Sequence, residues 1–285
     1  SPHQAEESMA RSARIGRVEI LNVEDYTPPP FNPQDFFPDV PLDAWDAHRA
    51  HHALDENGKF RVSFGAFALI SDDFVIVVDT GIGPSVPEMF GGGEGGLVPR
   101  LREAGIQPDQ VTAVLNTHLH PDHVGWNMTE GDPTFKNARY YFSAADYEWW
   151  TSEGVIEEAP QIPTQAQPLE ALGLLELTGD GDEIAPGIRA IATPGHTPGH
   201  QSFLIDSDGA KGVVTGDVLH SRAQFTEPEW CAGFDMDKPT AIATRKALME
   251  RIMTEQMTVA ASHLVVDSNI GHVIEVENRR YWQPL

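Results

Sequence analysis

Apolar and polar positions along the 285-residue chain form short strand-like runs separated by polar turns. Arg17 to Val23 alternates, as a half-buried strand does. Two further runs, Arg61 to Ile70 and Phe74 to Val78, flank the turn-forming Ser71-Asp72-Asp73, and the second ends in Asp79-Thr80-Gly81. Val111 to Asn116 is a buried-type strand that runs directly into a cluster of histidines. Later strands are expected at Arg139 to Phe142, Leu174 to Leu177, Ile188 to Ala192, Gln201 to Ile205, Gly212 to Val214, Val259 to Ser262 and His272 to Val276. Helical spacing predicts helices near Leu97 to Ala104, Ala144 to Thr151 and Pro239 to Met253.

Two halves rich in strands, with helices interspersed, imply two sheets sandwiched between helices. Residues 1–15 read as a loose end and 16–285 as one α/β domain with no repeat of fixed period. Asp25 to Asp43, rich in Pro, Phe and Asp, reads as a long loop whose Phe31, Phe36 and Phe37 either pack on the domain or cover a pocket. Gly91 to Gly96 lacks the Lys-Ser/Thr and spacing of a phosphate-binding loop, so it reads as a flexible connection.

Composition narrows the partners. Nineteen Lys and Arg against 43 Asp and Glu give a net charge of −24. Such a field repels nucleic acid and anionic membranes and leaves a small molecule as the expected partner. No apolar run is long enough to span a bilayer, so a soluble protein is expected, cytoplasmic before periplasmic or secreted. A homodimer is left open. The single cysteine, Cys231, excludes an intrachain disulfide and a cysteine-rich zinc site.

The chemistry gathers at His118-Leu119-His120-Pro121-Asp122-His123. Imidazole and carboxylate are the ligands zinc accepts when thiolates are absent. His118 and His120, two apart in an extended segment, point one way. Asp122 and His123, past Pro121, point to a neighbouring location, which suits two adjacent metals. Further ligands stand near the ends of later strands: His196 in Thr193-Pro194-Gly195-His196-Thr197-Pro198-Gly199-His200, Asp217 in Thr215-Gly216-Asp217, and His263 after Val259-Ala260-Ala261-Ser262. A lone histidine would read as a surface or capping residue; this cluster with three partners does not.

These motifs, from Asp79-Thr80-Gly81 to His263, resemble the metallo-β-lactamase superfamily, with its His-x-His-x-Asp-His signature. The resemblance implies a four-layer αββα sandwich. It also implies that His118, His120 and His196 hold one metal, that Asp122, His123 and His263 hold the other, and that Asp217 bridges both. Asp79 resembles the family's aspartate that orients a ligand histidine through its far ring nitrogen, unless it merely caps its turn. The expected cofactor is two divalent ions, zinc first, with manganese, cobalt or iron as alternatives. A hydroxide held between two such ions attacks a carbonyl or phosphoryl centre.

Asp217 stands where the penicillin-hydrolysing branch with a cysteine ligand has its thiolate. The His-Pro-Asp-His-Val-Gly and Thr-Pro-Gly-His-Thr-Pro-Gly-His runs, with Gly271-His272, look most like the branch of methyl parathion hydrolase and the N-acyl homoserine lactonases. Trp126-Asn127 follows Gly125 where the phosphotriesterase has a second Gly. The expected activity is hydrolysis of an ester or lactone of a largely apolar substrate. A phosphotriesterase and a mononuclear iron dioxygenase are the alternatives. Candidate catalytic residues are Asp122, Asp217 and His220, the last a donor to substrate or a prop behind a ligand. Candidate pocket residues are Trp126, Phe225, Trp230 and His272, with Phe31 and Phe36. His48, His51 and His52 read as a solvated helix face.

Overall fold

The computed structural model describes residues 12–285. The first sheet contains β1 (Ser12–Ile15), β2 (Val18–Tyr26), β3 (Phe64–Ile70), β4 (Val75–Val78) and β5 (Ala113–Leu115). After the small hairpin of β6 (Met128–Thr129) and β7 (Asp132–Pro133), β8 (Arg139–Ser143) and β9 (Leu175–Thr178) complete it, in the order β1-β2-β3-β4-β5-β8-β9. The second sheet runs in sequence order through β10 (Glu183–Ala185), β11 (Ile188–Ala192), β12 (Gln201–Ser207), β13 (Ala210–Val214), β14 (Thr258–Ala260), β15 (Ile270–Val276) and β16 (Arg279–Pro284).

The sheets face each other across a core to which Phe67, Leu69, Ile76 and Leu115 contribute from one side and Ile188, Phe203, Ile205 and Val214 from the other. Outside the first sheet, Val77, Val114 and Tyr140 pack against Leu101 of α2 (Leu97–Glu103) and Trp150 of α4 (Ala144–Trp150). Outside the second, Val213 and Val259 pack against Leu248, Met249 and Ile252 of α7 (Lys238–Glu255), which follows the short α5 (Gln167–Ala171) and α6 (Ala223–Thr226) in the chain. Helices on both outer faces and two sheets between them make the four-layer αββα sandwich. This explains why β3 and β4 read as nearly continuous apolar runs: strands covered on both faces have no polar side to display.

Parallel pairing places the site. β4 and β5 are parallel, with Val78 level with Leu115, and β13 and β14 are parallel, with Val214 level with Ala260. Their carboxyl ends therefore deliver Asp79, the segment from Asn116 onward, Thr215 and Ala261 to one edge of the sandwich. Loops at such an edge are where this kind of scaffold presents functional side chains.

Three expectations are corrected. Ser12–Ile15 is not loose but pairs antiparallel with β2, Ser12 opposite Leu21; residues 1–11 lie outside the described residues. The Pro- and Phe-rich segment forms more than a loop. It carries the one-turn helix α1 (Pro33–Phe36) and the 3₁₀-helical stretch Leu42–His51. These bury Phe37, Trp45 and Phe60 in a separate apolar cluster beside the site. His48 is not solvated: it is buried, with Nε2 3.3 Å from a Glu227 carboxylate oxygen and its ring against Trp230. Among the described residues, no helix is long and apolar enough to cross a membrane.

Candidate metal centre

β5 ends at Leu115, and Thr117 to His120 continue as irregular backbone before the one-turn helix α3 (Pro121–Val124). Pro121 suits the first helical position, where its missing N–H costs nothing. The turn separates the side chains around it into two groups. Ligand atoms of His118, His120 and His196 form one cluster, and those of Asp122, His123, Asp217 and His263 another, each within 4.8 Å.

The polarity of the imidazoles is set from behind. Thr117 donates its hydroxyl proton to Asp79 Oδ2 at 2.7 Å, so its oxygen can accept from His118 Nδ1 at 2.9 Å. His123 Nδ1 donates to the same Asp79 oxygen at 2.7 Å. His196 Nδ1 donates to Asp235 Oδ1 at 2.7 Å, and His263 Nδ1 to the Ser63 carbonyl at 3.0 Å. With the proton held on the far nitrogen in all four rings, the Nε2 lone pairs converge on the centre. There Nε2 of His123 lies 3.3 Å from Nε2 of His263, and Nδ1 of His120 lies 3.1 Å from Nε2 of His196.

Two lone pairs facing each other at that distance repel unless a cation or a proton lies between them. His118 Nε2 and Asp217 Oδ1 are buried without a hydrogen-bond partner among the described residues. Four-coordinate ligands about 2.1 Å from zinc stand roughly 3.4 Å apart, close to the spacings seen here. The residues present therefore fit divalent ions, with imidazole and carboxylate as donors and no thiolate.

Electrostatics agree. Burial pushes the Asp217 carboxyl up, but His123, His263, His118 and His196 outweigh it and hold it well below the usual carboxylate range. Burial, reinforced by the neighbouring His196, brings His120 down to about 3. Burial opposes protonation of His196 too, yet Asp217 and Asp235 push it up to about 9. Protons and metal ions thus compete for the same lone pairs.

Asp79 takes the role of orienting His123. It sits in the left-handed region with φ +60°, a conformation that costs a non-glycine residue roughly 1 kcal/mol or more. Besides His123 it accepts from Thr117 N at 2.8 Å, which ties the end of β4 to the metal loop.

Three residues escaped the sequence reading. Asp146, on α4, accepts from Leu119 N, Trp150 Nε1, Thr197 Oγ1 and Gly199 N, clamping the two histidine loops together. His200 accepts the Asp217 N–H on Nε2 at 2.9 Å. Asp235 holds His196. A helical aspartate among polar neighbours leaves no mark in a single sequence, whereas the second histidine of the Thr-Pro-Gly-His repeat was visible without a role.

A cavity of about 270 Å³ opens onto His120, Asp122, His196, Asp217, His220 and His263. Its wall is apolar: Phe31, Phe36, Phe64, Met89, Phe90 and Phe234. Phe31 and Phe36 thus stand where a pocket required them. Trp126, Phe225, Trp230 and His272 do not line this cavity. Trp126 is buried beneath the loops and donates from Nε1 to Asp25 at 2.9 Å. Phe225 stacks on Trp282 with centroids 4.8 Å apart, outside the second sheet. Trp230 packs edge-on against Trp45 at 4.8 Å. His272 lies on β15, with Nε2 3.3 Å from the Thr258 hydroxyl.

Known proteins place this geometry. The family model of the metallo-beta-lactamase superfamily matches residues 61–253. An N-acyl homoserine lactonase from a Bacillus species is 30% identical over 214 residues, covering 69% of this chain and 79% of the relative. The N-acyl homoserine lactonase of Bacillus cereus is 29% identical over 234 residues, covering 76% and 88%. Among solved structures, the hydrolase AbOPH of the beta lactamase superfamily superposes with a TM-score of 0.85 at 29% identity over 96% of this chain and 97% of that one. The dizinc quorum-quenching lactonase AidC, solved with an acyl-homoserine product, gives a TM-score of 0.81 at 21% identity with the same coverage, a likeness of fold. In sequence and in architecture alike, the chain belongs to the metallo-beta-lactamase superfamily.

Proposed function

We propose that this protein hydrolyses lactones or carboxylic esters bearing an apolar acyl or aryl group, using two divalent ions, with zinc the best match to the donors. His118, His120 and His196 would hold one ion and Asp122, His123 and His263 the other, with Asp217 between them. When bound, such a pair supplies Lewis acidity and lowers the pKa of water. The observation that carries the substrate class is the cavity wall of five phenylalanines and a methionine above these residues. Such a lining desolvates an alkyl or aryl group and offers nothing to an anionic one. The named relatives, N-acyl homoserine lactonases, act on a neutral ring with an acyl chain, which supports the same reading.

The chain's own groups complete the reading. His220 lines the cavity with Nε2 3.2 Å from Asp217 Oδ2, while its Nδ1 is buried without a partner among the described residues. A proton on Nδ1 would bury an N–H with no acceptor. On Nε2 the proton can be donated to Asp217 or to a substrate carbonyl oxygen, so Nε2–H is the favoured tautomer. This sets His220 apart from the four histidines whose far nitrogens are held; its ligand atom also groups with those of His196 and Asp217 within 4.8 Å, and we read it as a donor to the substrate. Asp122, with its side chain 20% exposed on the cavity, is held as a carboxylate against burial by His123 and His263, and it would take a proton from the attacking water and hand it to the departing alcohol.

The test is a substrate panel of acyl lactones, aryl esters and phosphotriesters with zinc-loaded protein. We expect the highest kcat/KM on a lactone or ester with an apolar arm. Turnover of phosphotriesters alone would overturn the carbonyl preference.

A further inference from the structure

Helix α7 buries a stripe of Ala241, Leu248, Met249 and Ile252 at helical spacing, and Arg245 stands in that stripe with none of its side chain exposed. A guanidinium removed from water is costly unless its donors are met. Here they are met almost entirely by two loops of the metal centre. Nε donates to the carbonyl of Val218 at 2.7 Å, one residue past Asp217. One terminal nitrogen donates to the carbonyls of Pro228 at 2.6 Å and Trp230 at 2.8 Å. The other reaches Asp235 Oδ2 at 3.4 Å, and the second oxygen of Asp235 takes the His196 Nδ1 proton at 2.7 Å.

We infer that Arg245 is a positioning residue for one of the two metal ions. Through Asp235 it fixes the ring of His196, and the carbonyls of Val218, Pro228 and Trp230 hold the guanidinium in place for that contact. The inference rests on the metal-centre reading above. Its selectivity follows from the partners: His118, His123 and His263 are braced by Thr117, Asp79 and the Ser63 carbonyl, none of which touches Arg245. Arg245 also joins what the backbone already brings together, since Met236 N and Asp237 N donate to the carbonyls of His196 and Gly195. Helix α7 begins directly after that contact, so its guanidinium reinforces a junction that the backbone already forms. A lysine could not replace it, because a single ammonium does not span carbonyls and a carboxylate in one plane.

The test is zinc binding, measured by competition with a chromophoric chelator, on metal-stripped wild type, Arg245→Met, Arg245→Lys and Asp235→Asn. Methionine nearly preserves the volume, and Asp235→Asn leaves the helix intact while replacing the carboxylate that accepts the His196 proton with a weaker amide oxygen. Outer partners of a metal ligand are worth roughly 10–100-fold in affinity. We expect one of two zinc ions to weaken by that factor in Asp235→Asn and in Arg245→Met, with the other within about threefold of wild type. Arg245→Lys should fail to restore it. If both ions bind the variants as tightly as wild type, or if both weaken equally, the positioning role is overturned. If Arg245→Met does not fold, Asp235→Asn decides between these outcomes alone. Wild type that binds no zinc would refute the metal centre itself, a result distinct from failure of the positioning role.

Discussion

At the scale of single residues, the centre is organised by groups that never face the cavity. Four imidazoles converge because Thr117, Asp79, Asp235 and the Ser63 carbonyl each hold a far nitrogen. Asp79→Asn should keep the shape of that contact but weaken the acceptor, lowering zinc affinity at the His123 side by roughly 10–100-fold. Equilibrium dialysis against buffered zinc checks it, and unchanged affinity would leave Asp79 only its turn. The seven ligand candidates were legible because imidazoles and carboxylates in a short run, followed by matching residues at strand ends, have little other use. The aromatic pocket was less legible. Trp126 and Trp230 follow the motifs closely in sequence, yet each ring has a partner, Asp25 or Trp45, that draws it into packing. Phe64 and Phe90, which do line the cavity, look in the sequence like ordinary strand and loop residues.

At the scale of elements, the histidine loops are short stretches of irregular backbone that need anchors. Asp146 supplies one, receiving three N–H groups and a hydroxyl from both loops and from Trp150 with no cation beside it. Asp146→Ala leaves those buried donors unmet, at about 1–3 kcal/mol each where water cannot replace the carboxylate. We expect a loss of at least about 3 kcal/mol in denaturant unfolding of the metal-free protein; a loss below about 1 kcal/mol would show that the loops hold themselves. The strand Ile188–Ala192 was readable to the residue, because Ile188 and Ala190 turn to the core while Arg189 between them is exposed. Edge strands such as β1 and β16 were not, since Ser12–Ile15 and Arg279–Pro284 carry mostly polar or exposed residues. Arg245 drew no reading from the sequence, and its meaning appears only with the loops it contacts.

At the scale of the whole molecule, two seven-stranded sheets meet where their parallel pairs end, and the centre closes that edge. Metal should therefore stabilise the fold as well as the reaction. At free zinc about 1,000 times its dissociation constant, each site adds roughly 4 kcal/mol. Chelation should lower the melting temperature by several degrees or more, and a melting temperature unmoved by chelator would separate the site from the fold. The net charge of −24 adds to this, since cations relieve repulsion in an acidic chain. The most direct measurement of the central claim is a titration of metal-stripped protein with zinc, followed by hydrolysis of an acyl lactone. The account predicts that activity appears and saturates at two equivalents per chain. Saturation at one equivalent, or activity restored by a single iron with uptake of oxygen, would contradict it.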